Sequence, residues 1–500
     1  MKKHYSLLAS LLLASSLIGF AQPGVNIQWT VSCGTGDTSG TSPALSISGD
    51  TIYYANGTDG KLYAFNASDG TSVWNYNLEI AKSNPSRTGL AVGNNGVVYV
   101  PIGTTNTDPA YLYAINPNGT EQWKYTIGSG ANITYVTPAI TKDGDILVGN
   151  NGTDGALHLV DKATGTRKAY IKPSGGVLGS IVVSQDNVSY SQAGNSGFYA
   201  YNLNSIDADL APTLLGNYKI DPSTNYYAAG SPAMDGDGNL LAAAGSGKVV
   251  SLHLTPTFDA NWTYPSVANL SKIEQSGVAI GANGTLYIAG SENKKIFALN
   301  PDGTLKWEFA TDGNAGSVPA IDNLGYIHFG DDAGNYYIIE DKTTSADQIY
   351  KAALSDGTNT TTKIWSAPAI ANDGSIYLAG KTAGDIYLFK VNVTGVTGPA
   401  NSYWAMKGGN AQRSGLQRSE LATEPGTNIS ILNTEELHAF AGNKTIELIA
   451  TQDGEISIYN LFGQLILKQW VNKGQHSFPV VSSQIYLVKL GDNTSKVIVQ

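Results

Sequence analysis

The feature that most constrains this chain is an internal repeat of short apolar segments. Each unit opens on a small residue, continues through two β-branched or aromatic runs, and ends on a segment with an aromatic residue. The opening residues recur every 41 to 51 positions, at Ala44, Ala91, Ala139, Val182, Ala233, Ala279, Ala320 and Ala369. A repeat of this length holds four short strands and their turns.

Turn residues and composition agree with that interpretation. Pairs such as Asp143-Gly144, Asn283-Gly284 and Asp373-Gly374 supply the positive φ that tight hairpins demand. No segment after residue 21 has the apolar spacing of an amphipathic helix, and charged residues are only 14%. Since one small sheet cannot bury both of its faces alone, the units must stack. The sequence predicts an all-β fold, a closed β-propeller of about eight blades over residues 25–415.

The aromatic residues of the final strands indicate how the ring closes. Seven units have an aromatic residue in the final strand: Trp74, Trp123, Tyr170, Tyr218, Trp262, Trp307 and Tyr350. The eighth is supplied by Trp29, ahead of the first opening strand. We therefore predict that the N-terminal strand completes the last blade. Because the units around 179–220 are weak, a seven-bladed ring is the alternative.

The repeat motifs resemble a known family. Val318-Pro319-Ala320-Ile321, Ile296-Phe297-Ala298-Leu299-Asn300 and Trp307-Glu308-Phe309 are similar to the PQQ-like propeller repeat. That repeat is named for quinoprotein dehydrogenases and is common in non-enzymatic propellers. The stretch from Tyr403 to Gly415 also resembles a segment of exported bacterial members. The resemblance implies the fold and does not choose between an enzyme and a binding protein.

The N-terminus has the pattern of a signal peptide. Lys2 and Lys3 precede an apolar core at 7–20, and Gly19-Phe20-Ala21 provides the small residues of a cleavage site. A membrane anchor is the alternative, but a span needs about 20 apolar residues and this core is shorter. We predict that residues 1–21 are removed between Ala21 and Gln22, and that the mature protein has no transmembrane segment.

The C-terminus has the pattern of a separate domain. A polar linker is predicted at 416–432, followed by a small β-sandwich at 433–500. The segments 458–464 and 485–489 and the terminal Lys496-Val497-Ile498-Val499-Gln500 resemble the C-terminal sorting domain of the type IX secretion system of Bacteroidetes. The resemblance implies the secretion machinery as partner, and a secreted or outer-membrane-surface location after passage through the periplasm. The Pro-Asn-Pro entry motif is missing and Gln484 replaces a usual Gly, so an ordinary accessory β-sandwich is the alternative.

Charge and motifs exclude several functions. A net charge of −10 without a basic cluster argues against nucleic acid. A single cysteine, Cys33, excludes an intrachain disulfide and the vicinal disulfide of quinoprotein dehydrogenases. His158, His253 and His328 fall on different units, and His158 occupies an aromatic packing position. Residues 235–239 resemble half of a calcium loop, but position 246 is Ser instead of an acid, so a hairpin turn is favoured.

These observations leave two functional hypotheses. The favoured one is a non-catalytic binding or scaffold propeller for a surface glycan or protein, with no catalytic, cofactor-binding or metal-binding residues and no cofactor. The alternative is an enzyme that uses the propeller axis, either a quinone-dependent dehydrogenase or a hydrolase. Acids from distant blades can meet at the axis without a local motif. Their position on the innermost strands is therefore the observation that discriminates between the two hypotheses.

Overall fold

The computed structural model describes residues 23–36, 41–79, 89–103, 109–129, 133, 136–150, 157–172, 176–177, 179–193, 197–219, 230–244, 247–254, 257–265, 277–290, 292–419, 421, 437–442, 445–450, 453–460, 465–480, 484–490 and 493–499. These residues form strands and turns without a helix, which confirms the predicted all-β class. The chain divides into two compact units, Met1–Ser419 and Glu420–Gln500. The predicted cleavage site at Ala21 and Gln22 and most of the predicted linker lie outside the described residues.

The first unit contains eight four-stranded antiparallel sheets, one for each predicted blade. Blades 1 to 4 contain β2 (Ala44–Leu45), β3 (Thr51–Asn56), β4 (Lys61–Asn66), β5 (Ser72–Asn77); β6 (Ala91–Val92), β7 (Val98–Ile102), β8 (Pro109–Ile115), β9 (Glu121–Ser129); β10 (Ala139–Ile140), β11 (Ile146–Gly149), β12 (Leu157–Val160), β13 (Arg167–Ile171); β14 (Val182–Val183), β15 (Val188–Ala193), β16 (Gly197–Ile206) and β17 (Pro212–Lys219).

Blades 5 to 8 follow the same order, except that the last blade takes its outer strand from the N-terminus. They contain β18 (Ala233–Met234), β19 (Leu240–Ala244), β20 (Lys248–His253), β21 (Asp259–Tyr264); β22 (Val278–Ile280), β23 (Leu286–Gly290), β24 (Lys295–Leu299), β25 (Leu305–Ala310); β26 (Ala320–Ile321), β27 (Tyr326–Gly330), β28 (Asn335–Asp341), β29 (Ala346–Ala353); β30 (Ala369–Ile370), β31 (Ile376–Lys381), β32 (Asp385–Val393) and β1 (Val25–Thr35).

The N-terminal strand closes the ring as predicted. β1 pairs antiparallel with β32, with Val25 opposite Val393 and Trp29 opposite Lys390. Eight blades are present, and the weak units around 179–220 form blade 4, so the seven-bladed alternative is wrong.

The blade order defines two faces of the ring. Connections between first and second strands and between third and fourth strands, such as residues 93–97 and 161–166, form what we call the turn face. The connections between blades lie on the opposite side, the loop face. The opening residue of each repeat lies on an innermost strand, and all eight of these strands are buried. Apolar side chains of neighbouring blades pack between the sheets.

The second unit is a small β-sandwich. One sheet has the order β33-β34-β37 and the other β36-β35-β38-β39. These strands are β33 (Leu437–Gly442), β34 (Thr445–Ala450), β35 (Gly454–Asn460), β36 (Leu465–Val471), β37 (Gly474–Pro479), β38 (Gln484–Leu490) and β39 (Asn493–Val499). Ile446 and Phe478 of the first sheet share a buried core with Ile456, Ile458 and Val488 of the second.

Candidate functional site

The ring axis is lined by the eight innermost strands. Every residue of these strands is Ala, Val, Leu, Ile or Met, and all are buried. The strands therefore bring no Asp, Glu, Lys, Arg or His side chain to the axis. The convergence of distant acids, on which the hydrolase hypothesis depends, does not occur on them.

The axis is occupied by residues 399–418, here called the axial segment. Its carbonyl oxygens accept the backbone N–H of the second or third residue of the innermost strand in six blades. The pairs are Leu45 with Ala411 (2.9 Å), Val92 with Gln412 (2.9 Å), Ile140 with Ser414 (2.7 Å), Val183 with Gly415 (2.8 Å), Ile280 with Trp404 (2.8 Å) and Ile321 with Ala405 (2.9 Å). Because these donors directly precede the turns, the segment lies toward the turn face.

Arg413 of the axial segment joins the first and last blades. Its Nε donates to the Pro43 carbonyl (3.1 Å), and its Nη2 donates to the carbonyls of Ala367 (2.7 Å) and Pro368 (2.9 Å). Nη1 donates to the Lys407 carbonyl at 2.8 Å. Only 1% of Arg413 is exposed, and this burial lowers the pKa of its guanidinium to about 9. A rigid fork with five N–H groups is suited to bridging carbonyls from separate blades.

Lys407 is another cation of the axial segment, which also contains Arg418. The residue is half-buried, and its ammonium has no hydrogen bond or ion pair with any described residue. Burial and the positive charge of Arg413 lower the pKa of Lys407 to about 7. Neither the innermost strands nor the Pro43, Ala367 and Pro368 segments contribute a carboxylate. The axial segment therefore carries three cations, Lys407, Arg413 and Arg418, and no carboxylate of its own.

The outer parts of the blades are held together by tryptophans. Four indoles pack on a turn glycine of the next blade, where an added Cβ atom would lie within 3 Å of the ring: Trp29 on Gly70, Trp74 on Gly119, Trp123 on Gly165 and Trp262 on Gly303. Each indole N–H also donates to a carbonyl of that turn, at 2.8–3.2 Å. These tryptophans therefore pack one blade against the next.

Trp307 packs differently because the next turn has no glycine. Its Nε1 donates to Oδ1 of Asp341 at 2.6 Å. The other oxygen of Asp341 accepts Lys306 Nζ and the Tyr287 hydroxyl, both at 2.7 Å. A carboxylate with three donors thus replaces the turn glycine at this blade seam.

Two of the predicted aromatic residues, Tyr170 and Tyr218, lie on final strands. They do not occupy the position from which Trp74 packs on the next blade. Cross-strand pairing places Ala169 and Gly216 at that position in blades 3 and 4. Tyr170 and Tyr218 lie one and two residues farther along their strands. Both blades lack the indole contact, and blade 4 is the unit whose match to the repeat is weak.

The structure does not bring the predicted histidines together, because they lie on blades 3, 5 and 7. His158 is buried, with Nδ1 2.9 Å from the Tyr125 hydroxyl and Nε2 3.0 Å from Asn150 Nδ2. His328 is fully buried between Tyr336 (2.8 Å) and Asp322 (3.0 Å). Both imidazoles therefore have packing and hydrogen-bonding roles, His158 across the seam between blades 2 and 3 and His328 within blade 7.

The predicted turn at 235–239 is held by hydrogen bonds to the carboxylate of its own Asp235. Asp235 Oδ1 accepts the N–H groups of Asp237 (3.0 Å) and Asn239 (2.8 Å), and Oδ2 accepts Asn239 Nδ2. This geometry agrees with a hairpin turn. Within the described ranges, no group of three or more His, Cys, Asp or Glu side chains is placed to hold a metal ion. The same ranges contain no helix long and apolar enough to cross a membrane.

A cavity of about 450 Å³ opens on the turn face between blades 2 and 3. It is lined by the residues Asn94, Asn95, Gln122, Lys142, Asp143, Gly144, Lys162 and Ala163. Lys142 Nζ donates to the Gln185 carbonyl at 3.1 Å, and Asp143 Oδ2 accepts Asn187 Nδ2 at 3.3 Å. Asn94 is exposed, and its amide has no partner within the described residues. Turns of two blades form the cavity, so no local motif identifies it in the sequence.

Comparisons with known proteins agree with this architecture. A family model described as outer membrane protein assembly factor BamB matches residues 14–168 and 108–256. The structure of BamB from Moraxella catarrhalis is 16% identical, with a TM-score of 0.52 over 74% of this chain and 98% of that chain. The ring is a β-propeller, and its first half matches the model of the PQQ-like family. No curated protein matches the sequence.

Other solved structures share the propeller fold. A europium-containing methanol dehydrogenase is 14% identical, with a TM-score of 0.56 over 74% of this chain and 93% of that chain. The C-terminal WD40 domain of Sif2 is 12% identical, with a TM-score of 0.56 over 74% and 99%. At these identities the likeness concerns the fold alone.

A quinone cofactor does not fit the described axis of this propeller. A tricarboxylate quinone and its metal need several cations together with carboxylate and amide ligands. The innermost strands are apolar, and Arg413 is already engaged by four carbonyl oxygens. Four tryptophans of the outer strands are packed at the blade seams, and Trp404 of the axial segment is buried.

Proposed function

We propose that this chain is an exported, non-catalytic propeller that binds a partner on the faces of its ring. The observation that carries the proposal is the occupied axis. Apolar innermost strands line the axis, and the axial segment occupies its turn-face end. The matching family is described as an assembly factor, which supports a role in contact with partners.

The cavity between blades 2 and 3 supports a polar ligand such as a surface glycan. Residues with amide, ammonium and carboxylate groups line it, and such groups form hydrogen bonds with sugar hydroxyls. Asn94 and Lys142 occupy the same position in their respective turns, on either side of the cavity. A ligand in the cavity would therefore contact two adjacent blades.

The test is binding of the purified protein to an array of bacterial surface oligosaccharides. The doubly substituted N94A/K142A variant should lose at least tenfold in affinity for any bound glycan. Asn372→Ala changes the same turn position in blade 8 and should leave binding unchanged. Equal binding by both variants would place the ligand elsewhere on the ring.

We further propose that the protein is exported in two steps. Residues 1–21 direct it across the inner membrane, with cleavage between Ala21 and Gln22, and residues 433–500 direct it through the type IX secretion system. The separate sandwich of the second unit supports a transferable sorting domain. The product would be secreted or held at the outer-membrane surface.

Deletion of residues 420–500 tests the sorting step. The truncated protein should accumulate in the periplasm, whereas the full chain should be found at the surface or in the medium. Fusion of residues 420–500 to an unrelated periplasmic protein controls for misfolding, since the fusion should then be exported. Normal export of the truncated chain would contradict the proposal.

A further inference from the structure

Two of the three cations of the axial segment, Lys407 and Arg413, stand in an unusual environment, whereas the third, Arg418, donates its Nη1 to the Ser402 carbonyl at 2.7 Å. Arg413 is almost fully buried and Lys407 half-buried, and an apolar ring of innermost strands surrounds the segment. Buried cations are ordinarily paired with an anion, because the loss of hydration is costly. The carbonyl oxygens around Arg413 satisfy hydrogen bonds but carry no net charge. The site therefore keeps an uncompensated positive charge.

Both cations also retain unused donors. Four of the five guanidinium N–H groups of Arg413 donate to carbonyl oxygens, and the second N–H of Nη1 has no partner among the described residues. Nη1 lies 2.8 Å from the Lys407 carbonyl, so the free N–H is close to the backbone of Lys407. The three N–H groups of the Lys407 ammonium have no partner within the described ranges.

We propose that Lys407 and Arg413 form a binding site for a small oxyanion at the ring axis. A carboxylate or a tetrahedral anion such as sulfate would accept hydrogen bonds from the Lys407 ammonium and from the free N–H of Arg413. Charge-assisted bonds of this kind are stronger than neutral ones, and the apolar surroundings strengthen them further. Since Arg413 is only 1% exposed, the ligand must be small or must insert a single anionic group.

The site has a characteristic pH dependence. Arg413 is the charged group that acts on Lys407, and the innermost strands carry none. The other charged residues in the axial segment or in contact with it are Arg418, which bonds to Ser402, and Asp235 and Asp322, whose turns contact Gln417 and Pro399. Below about pH 7 Lys407 is protonated and ready to bind an anion. Above that pH the anion must bring a proton with it, so affinity should fall about tenfold per pH unit.

The experiment is calorimetric titration of the purified protein with sodium sulfate and, separately, sodium acetate, at constant ionic strength and at pH 6, 7, 8 and 9. Sulfate stands for tetrahedral anions and acetate for carboxylates, so the tighter ligand identifies the class. Lys407→Met keeps a side chain of similar length without charge and should weaken binding at least tenfold. Lys342→Met removes an equal charge from an exposed ion pair with Glu340 and should have no effect.

Saturable binding at pH 6 that weakens by pH 9 and is lost in Lys407→Met would support the site. Absence of binding to the wild-type protein, or equal binding by Lys407→Met, would overturn it. The thermal melting curve of Lys407→Met confirms that the variant folds. The inference is independent of the glycan cavity on the turn face, so the two can fail separately.

Discussion

Trp29, on the first strand, packs its indole against Gly70 in blade 1. An added Cβ atom at Gly70 would lie 2.9 Å from Cδ2 of Trp29, and the indole N–H donates to the Ala67 carbonyl at 3.2 Å. The same contact joins blades 1 and 2, 2 and 3, and 5 and 6. The seam at which the ring closes is therefore built like the seams within the continuous chain.

Gly70→Ala should destabilise the ring. The residue has φ of 75°, where a side chain costs about 1–2 kcal/mol, and the clash with Trp29 adds about 1–3 kcal/mol. Gly49→Ala is the matched control, because φ is 77° and no atom lies within 4 Å of the added Cβ. Denaturant midpoints should show the larger loss for Gly70→Ala. Equal losses would mean that the indole contact contributes nothing.

Arg413→Lys should destabilise the propeller although it keeps the charge. An ammonium cannot reach the carbonyls of Pro43, Ala367 and Pro368 together, and each buried acceptor left without a donor costs about 1–3 kcal/mol. Arg167→Lys, on an exposed position over Tyr170, should change stability by less than about 0.5 kcal/mol. Melting temperatures of the two variants provide the comparison. A stable Arg413→Lys protein would show that the bridge between blades 1 and 8 is dispensable.

Lys407 should make stability rise with pH between 7 and 9. Its pKa is about 7 in the folded protein and 10.5 for an ordinary lysine, so the unfolded chain binds more protons in this window. Stability therefore increases with pH, by at most about 1.4 kcal/mol per unit and less for a half-buried group. The measurement is a denaturant titration of the wild-type protein and of Lys407→Met at each pH. The two proteins differ in this one titratable group. Parallel pH profiles for the two would contradict the prediction.

The propeller should bind no pyrroloquinoline quinone and should need no divalent cation to fold. Stacked apolar blade faces and the closed ring supply its stability, and neither depends on an ion. Titration with quinone in the presence of calcium should leave the absorption spectrum of the quinone unchanged. Chelator should leave the melting temperature unchanged. A stoichiometric, calcium-dependent quinone spectrum would instead support the dehydrogenase alternative.

The repeat in the sequence was sufficient to place the blades. Small opening residues such as Ala44 mark innermost strands because close packing at the axis admits little bulk, and the surplus strand at Trp29 revealed the closure. Cross-strand register was not predictable at Tyr170 and Tyr218, because spacing alone does not show which residue faces the next blade.

The axis and the cavity could not be predicted from sequence. Arg413 meets Pro43 and Ala367 through contacts between residues far apart in the chain, and no local pattern encodes such contacts. The stretch from Tyr403 to Gly415 was recognisable only by resemblance. Asn94 and Lys142 are ordinary turn residues in the sequence, and only the packing of blades 2 and 3 places them around one cavity.

The axial segment also imposes an order on folding. Leu45 bonds to Ala411 and Val92 bonds to Gln412, so these bonds span more than three hundred residues of chain. Non-local contacts of this kind form late, because the entropy of closing a long loop must be overcome first. A chain shortened before residue 399 leaves six inner N–H groups without these acceptors. Completion of the inner ring is therefore coupled to synthesis of the last propeller residues.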